Sequence, residues 1–143
     1  MTRMETVIWL FVGLVLVAPL LLYANRRGVA TNRRVFGNGL LVAAGVYIAF
    51  ALTQANAFWL MVETLGVATF SIFYWLGTKY SIYWIALGWA VHPAWDGIIH
   101  IAGAGAQITP LWYAGACISF DLAIAGYLAI RFSSRGLIYE QKE

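Results

Sequence analysis

Residues 6–24 read TVIWLFVGLVLVAPLLLYA, an unbroken apolar run without a single charged side chain. As a helix rising ~1.5 Å per residue, this run nearly matches the ~30 Å hydrocarbon thickness of a bilayer. It is longer than the apolar core of most signal peptides, and no small-x-small cleavage site followed by a soluble domain comes after it. We therefore read it as a retained membrane helix. The composition agrees: of 143 residues, 62% are hydrophobic and 10% charged, with seven Trp, eight Tyr and eight Phe. Those proportions lie well above the apolar share of a soluble domain.

Four more apolar segments follow, at about 35–52, 57–77, 80–104 and 110–132. The expected architecture is all-α: a polytopic protein of five transmembrane helices in one compact bundle, a single transmembrane domain over 1–143. Short connections make consecutive helices antiparallel neighbours. Local signals fit this reading, with Asn56 placed to cap the third helix and the Thr109–Pro110 pair suited to cap and first turn of the fifth. The similar stretches SIFYWLG (71–77) and SIYWIALG (81–88) flank the tight third connection, where Trp and Tyr form an interfacial belt more readily than they mark a repeat.

Basic residues set the orientation. The first connection carries Arg26, Arg27, Arg33 and Arg34, the third Lys79, and the tail Arg131, Arg135 and Lys142, whereas TQAN (53–56) and GAGAQI (103–108) carry none. The positive-inside rule then places the N-terminus outside and the C-terminus in the cytoplasm, in a multi-pass protein of the cell membrane. The same placement accounts for the net charge of +3 without a nucleic-acid partner, because the charges sit beside apolar runs. The arginine-rich connection is mainly a topology signal, with anionic headgroups as a lesser alternative. A lone Cys117 excludes an internal disulfide.

Against this background the stretch VHPAWDGIIH, residues 91–100, is anomalous. It sets His92, Asp96 and His100 four apart on one helical stripe, with Ala86, Ala90 and Ala94 forming a small-residue stripe opposite for close helix packing. Glu5, Glu140 and Glu143 lie near the ends, while Glu63, Asp96 and Asp121 fall inside the third, fourth and fifth helices, as do both histidines in the fourth. No Lys or Arg lies deep in any span to balance them. Ionised groups at membrane depth cost several kcal/mol by most accounts and face the bundle interior with a compensating partner. Counting ~1.5 Å per residue from the outer helix ends puts Glu63 and Asp96 about 9–12 Å deep and His92 and Asp121 about 16–18 Å deep. Two layers follow: His92 with Asp121, His100 with Glu63, and Asp96 between them. Cys117, Tyr47, Tyr113 and Trp95 are placed to surround the cluster, and Pro93 is expected to kink the helix at His92.

Imidazole and carboxylate ligands suit a divalent ion, whether zinc, iron, manganese or copper, and such an ion would offset the surplus negative charge. The expected site comprises His92, Asp96, His100, Asp121 and Glu63, holding either one ion or two bridged by Asp96. Glu63 and Asp121 are the candidate general bases of a small membrane metalloenzyme acting on a lipid-soluble substrate. The alternative is a proton- or ion-transport or accessory subunit of a larger complex, in which the cluster relays protons or only fixes helix packing. Expected partners are the bilayer, a hydrophobic small molecule, and a second copy or a larger membrane assembly. No nucleophilic triad or phosphate loop competes with these readings.

The run H-P-x-W-D-x-x-x-H over residues 92–100, with Trp112–Tyr113 ahead of C-x-x-x-D at 117–121, resembles small bacterial multi-spanning membrane proteins grouped as a family of unknown function. The resemblance covers about the last third of the chain. It implies no reaction, only that His92, Trp95, Asp96, His100 and Asp121 belong together.

Overall fold

A computed structural model describes residues 2–133, all-α with no strand among the described residues. Five α-helices run α1 (Arg3–Asn25), α2 (Val29–Thr53), α3 (Ala57–Lys79), α4 (Tyr83–Trp95) and α5 (Leu111–Arg131). A π-helical turn, Asp96–Ile101, continues α4, and a short 3₁₀ turn, Ala104–Gln107, leads toward α5. Four of these helices, α1, α2, α3 and α5, are long and apolar enough to cross a membrane. The stretch carrying Arg135, Glu140, Lys142 and Glu143 lies outside the described residues.

Large apolar side chains stand on the surface as well as in the core, and a set of polar and charged side chains is buried. Ile130, Ile98, Leu22, Val42 and Val7 stand on the surface, whereas Asn32, Glu63, His92, Asp96, His100, Thr109 and Asp121 are buried. Buried residues recur every three or four positions, as Phe36, Leu40, Ala44, Tyr47 and Ala51 do along α2, so each helix turns one stripe inward. The packed centre is Phe36, Leu40, Phe70, Ile85, Trp89, Ile124 and Leu128. Trp89 also donates its indole N–H to the Phe36 carbonyl at 2.9 Å, fixing α4 against α2.

Several helix limits differ from the sequence reading. The second helix begins at Val29, not near 35, so Arg33 and Arg34 lie on its first turns and the connection is only residues 26–28. Buried Asn32 explains the extension: its side-chain amide donates to the carbonyls of Ala24, Arg27 and Gly28 at 2.9–3.1 Å. The bond to Ala24 ties the open end of α1 to the start of α2, and the other two hold the connection between them. At the other tight turn, α4 starts at Tyr83 after residues 80–82, and its hydroxyl donates to the Phe132 carbonyl beside the end of α5. Asn56 caps α3 as expected, accepting from the Trp59 N–H at 3.2 Å. Of the alanine stripe on α4, Ala86 is buried while Ala90 and Ala94 are exposed, so it does not form a helix–helix seam along its length.

Helix α1 packs along α5 and touches α2 little, despite the short connection between them. The Ser119 hydroxyl donates to the Leu10 carbonyl at 2.6 Å, and the rings of Trp9 and Trp112 lie 5.5 Å apart.

A candidate metal centre of one histidine and two aspartates

Pro93 sits inside α4, which continues unbroken through His92 to Trp95; the departure from regular α geometry lies beyond the proline. There the Asp96 N–H reaches the carbonyls of both His92 and Pro93, and the Ala102 N–H bonds Gly97, five residues back, at 2.9 Å. The i→i+5 pattern is that of a π turn, which takes more residues per turn than an α-helix and is frequent at functional sites. Its effect here is one of phase. In a straight α-helix, eight residues overshoot two full turns by about 80°, which would swing His100 away from His92. The wider π turn absorbs that overshoot, and His92, Asp96 and His100 all point inward, each fully buried.

His92 Nδ1 lies 2.9 Å from Asp121 Oδ2 and 3.4 Å from Asp96 Oδ2. Ligand-type atoms of His92, Asp96 and Asp121 all fall within 4.8 Å of one another, and these three are the one such group among the described residues. His100 and Glu63 form a separate pair, Nε2 to Oε2 at 3.6 Å. The structure thus brings the five ionisable residues into two adjoining sets, with Asp96 in the set of His92 and Asp121.

Tyr47 of α2 joins the two. Its ring stacks on His100 at 4.1 Å between centroids and 11° between planes, and stands 6.0 Å from the His92 ring. Tyr113 meets Tyr47 edge-on at 5.6 Å. Trp95 is one ring removed from the centre, packed edge-on against Phe70, whose own ring lies 4.8 Å from His92. Cys117 is half-buried one turn before Asp121 on α5.

Thr109 carries a role different from the expected one. It does not cap α5, whose N-cap is Pro110 with no side-chain capping bond. Its buried hydroxyl instead hydrogen-bonds His100 Nδ1 at 3.1 Å. A threonine before Pro reads as a cap because that role is local, whereas the actual partner lies nine residues back. Phe70 and Gly105 were equally silent in the sequence. A Cβ at Gly105 would stand 2.8 Å from His100 Nδ1 and 2.7 Å from the Ile99 carbonyl oxygen, so only glycine lets the loop close over this histidine.

The polar atoms of the centre are under-used. His92 Nε2, both Asp96 carboxylate oxygens, Asp121 Oδ1, Glu63 Oε1, His100 Nε2 and the Tyr47 hydroxyl are buried without a hydrogen-bond partner. Buried polar atoms are nearly always satisfied, so a concentration of orphans calls for an explanation such as an ion. No lysine or arginine forms an ion pair among the described residues; every pair there is between a histidine and a carboxylate. Two carboxylates facing one imidazole carry surplus negative charge unless a proton or cation joins them.

No curated protein and no solved structure matches the chain. A model for a family of unknown function, DUF6010, matches residues 4–134 and extends the likeness from the last third to nearly all of the described residues. The chain belongs to that family.

Proposed function

We propose that this protein binds one divalent transition-metal ion through His92, Asp96 and Asp121, within a five-helix bundle that crosses the cell membrane, N-terminus outside. The observation that carries the reading is charge closure in a dry place. A neutral imidazole, two carboxylates and a divalent ion sum to zero, and the three side chains are fully buried with ligand atoms within 4.8 Å of one another. Bonds of ~2.0–2.2 Å from one nitrogen and two oxygens suit the separations of 2.9 and 3.4 Å found at His92 Nδ1. Nitrogen and oxygen donors favour zinc, iron, manganese or copper over softer ions.

Such an ion supplies Lewis acidity and a more acidic bound water. With it, the protein is a small membrane metalloenzyme for a lipid-soluble substrate, in which the His100–Glu63 pair, held by Thr109 and Tyr47, stores or passes a proton beside the metal. Glu63 and Asp121 are its candidate bases.

The test is elemental analysis of purified protein after growth with metals supplied. Wild type is expected to carry about one equivalent, lost in both His92→Ala and Asp96→Ala. A metal-free wild type overturns the proposal. The 2.9 Å contact between His92 and Asp121 also favours a second reading, a protonated hydrogen-bond network in a transport or accessory subunit. Metal-free protein with proton uptake in liposomes supports that one.

A further inference from the structure

Because α1 leans on α5, the space between α1 and α2 is open at the side of the bundle. It forms a cavity of about 420 Å³. Gly13 and Leu16 of α1 make one wall, Gly39, Ala43 and Val46 of α2 the other, and its lining surface is almost wholly apolar. The volume falls within the ~300–1,000 Å³ of small-molecule sites. Gly13 lets α1 close on α5, since a Cβ there would collide with the Ala116 carbonyl and the Ser119 hydroxyl. At the inner side, α5 presents Tyr113, Cys117 and Asp121.

Asp121 is the observation that points to a ligand. It is the one charged residue of the lining, it is fully buried, and its Oδ1 has no hydrogen-bond partner while Oδ2 faces His92. Asp121 thus belongs both to the inner lining of the cavity and to the candidate metal centre. Acyl chains alone would fill an apolar groove but would leave Oδ1 unsatisfied, at a cost of roughly 1–3 kcal/mol or more for a charged group. A long apolar molecule with a hydrogen-bond donor at one end satisfies both the walls and Oδ1.

We propose that this lateral cavity is the substrate site, and that it takes a long-chain alcohol from the bilayer, chain between α1 and α2 and hydroxyl at Asp121. The assignment rests on the metalloenzyme reading for its catalytic meaning, but the binding itself stands on the cavity. Asp121 then serves two partners, turning Oδ2 to the centre and accepting the hydrogen bond of the substrate hydroxyl at Oδ1. The opening faces the side of the bundle, so the substrate reaches the centre without leaving lipid.

The probe is a long-chain alcohol bearing a diazirine and a terminal alkyne, photolysed with the full chain in lipid nanodiscs, with the labelled residues mapped by mass spectrometry. Metal content is measured on the same samples. Label is expected on α1, α2 and α5 positions lining the cavity, at least tenfold above the outward-facing Leu65 and Ile72 of α3. A matched hydrocarbon probe without the hydroxyl should label the cavity at least tenfold less. Ala43→Phe and Val46→Trp, which fill the space from one wall, should each reduce cavity labelling at least tenfold in protein that retains wild-type metal content. Uniform labelling of all lipid-facing positions, equal labelling by the hydrocarbon probe, or full labelling of both filled variants overturns the assignment. Cavity labelling in a metal-free wild type overturns the metal centre and leaves the alcohol site standing.

Discussion

The Tyr47 ring lies flat on the His100 imidazole, 4.1 Å between centroids and 11° from parallel. The two residues come from α2 and from the π turn, so this stack is a direct link between a helix that bears no titratable cluster residue and the segment that bears two. Stacking on one face, together with Thr109 at Nδ1, leaves His100 one orientation, with Nε2 directed to Glu63.

The contribution of Tyr47 should therefore reside in its ring. Aromatic pairs contribute about 0.5–1.5 kcal/mol beyond simple burial, and the Tyr47 hydroxyl has no hydrogen-bond partner. Tyr47→Phe is expected to unfold within about 0.5 kcal/mol of wild type in a detergent titration. Tyr47→Leu should lose on the order of 2 kcal/mol, from the stack and the space left behind. Equal losses in both variants would show that the hydroxyl, not the ring, is what matters.

Thr109→Val keeps the shape of the side chain and removes the hydroxyl, leaving His100 Nδ1 buried and unpartnered. A loss of about 1–3 kcal/mol is expected, with metal content unchanged, and Thr109→Ser should recover most of it. A valine variant as stable as wild type would mean that the 3.1 Å contact contributes nothing.

The two sets of ionisable residues should separate in a metal assay. Asp121→Ala is expected to abolish metal retention, whereas His100→Gln and Glu63→Gln should keep about one equivalent. Loss of metal in the glutamine variants, with the fold intact by circular dichroism, would show that both sets ligate and that Asp96 bridges them.

Five spans require α4 and its π continuation to cross the bilayer. In a Cys117→Ala background, single cysteines at Lys79 and Gln107, both exposed, report opposite ends of that segment. A membrane-impermeant maleimide should label Gln107→Cys in intact cells and Lys79→Cys only after permeabilisation. Labelling of both from one side would leave the fourth segment as a re-entrant element.

Much of this was legible in the sequence where the signal was local or periodic. Asn56 capped α3 because an N-cap acts within three residues, and α1, α3 and α5 began and ended within three residues of where hydropathy placed them. Depth paired His92 with Asp121 and His100 with Glu63, but it left Asp96 between the two layers, whereas the structure sets Asp96 beside His92 and Asp121. What escaped were long-range polar bonds. Asn32 lengthens α2 by bonding back to α1, Thr109 leaves its cap for His100, and neither partner is visible in a hydropathy profile. The π turn escaped for a different reason: proline predicts a disturbance but not its form, and the α-helical phase of four-residue spacing already looked adequate for His92, Asp96 and His100.

The preference of α1 for α5 over α2 has a consequence for biosynthesis. Helices emerge from the ribosome in order, so in the membrane bundle proposed above α1 enters the bilayer with its principal neighbour not yet made. It must wait, through the translation of three further helices, in contact with lipid or with the insertion machinery. Asp121 arrives on the same late helix that gives α1 its place. Until then His92 and Asp96 have no opposing carboxylate from α5, so closure of the bundle and completion of the centre are one event in time.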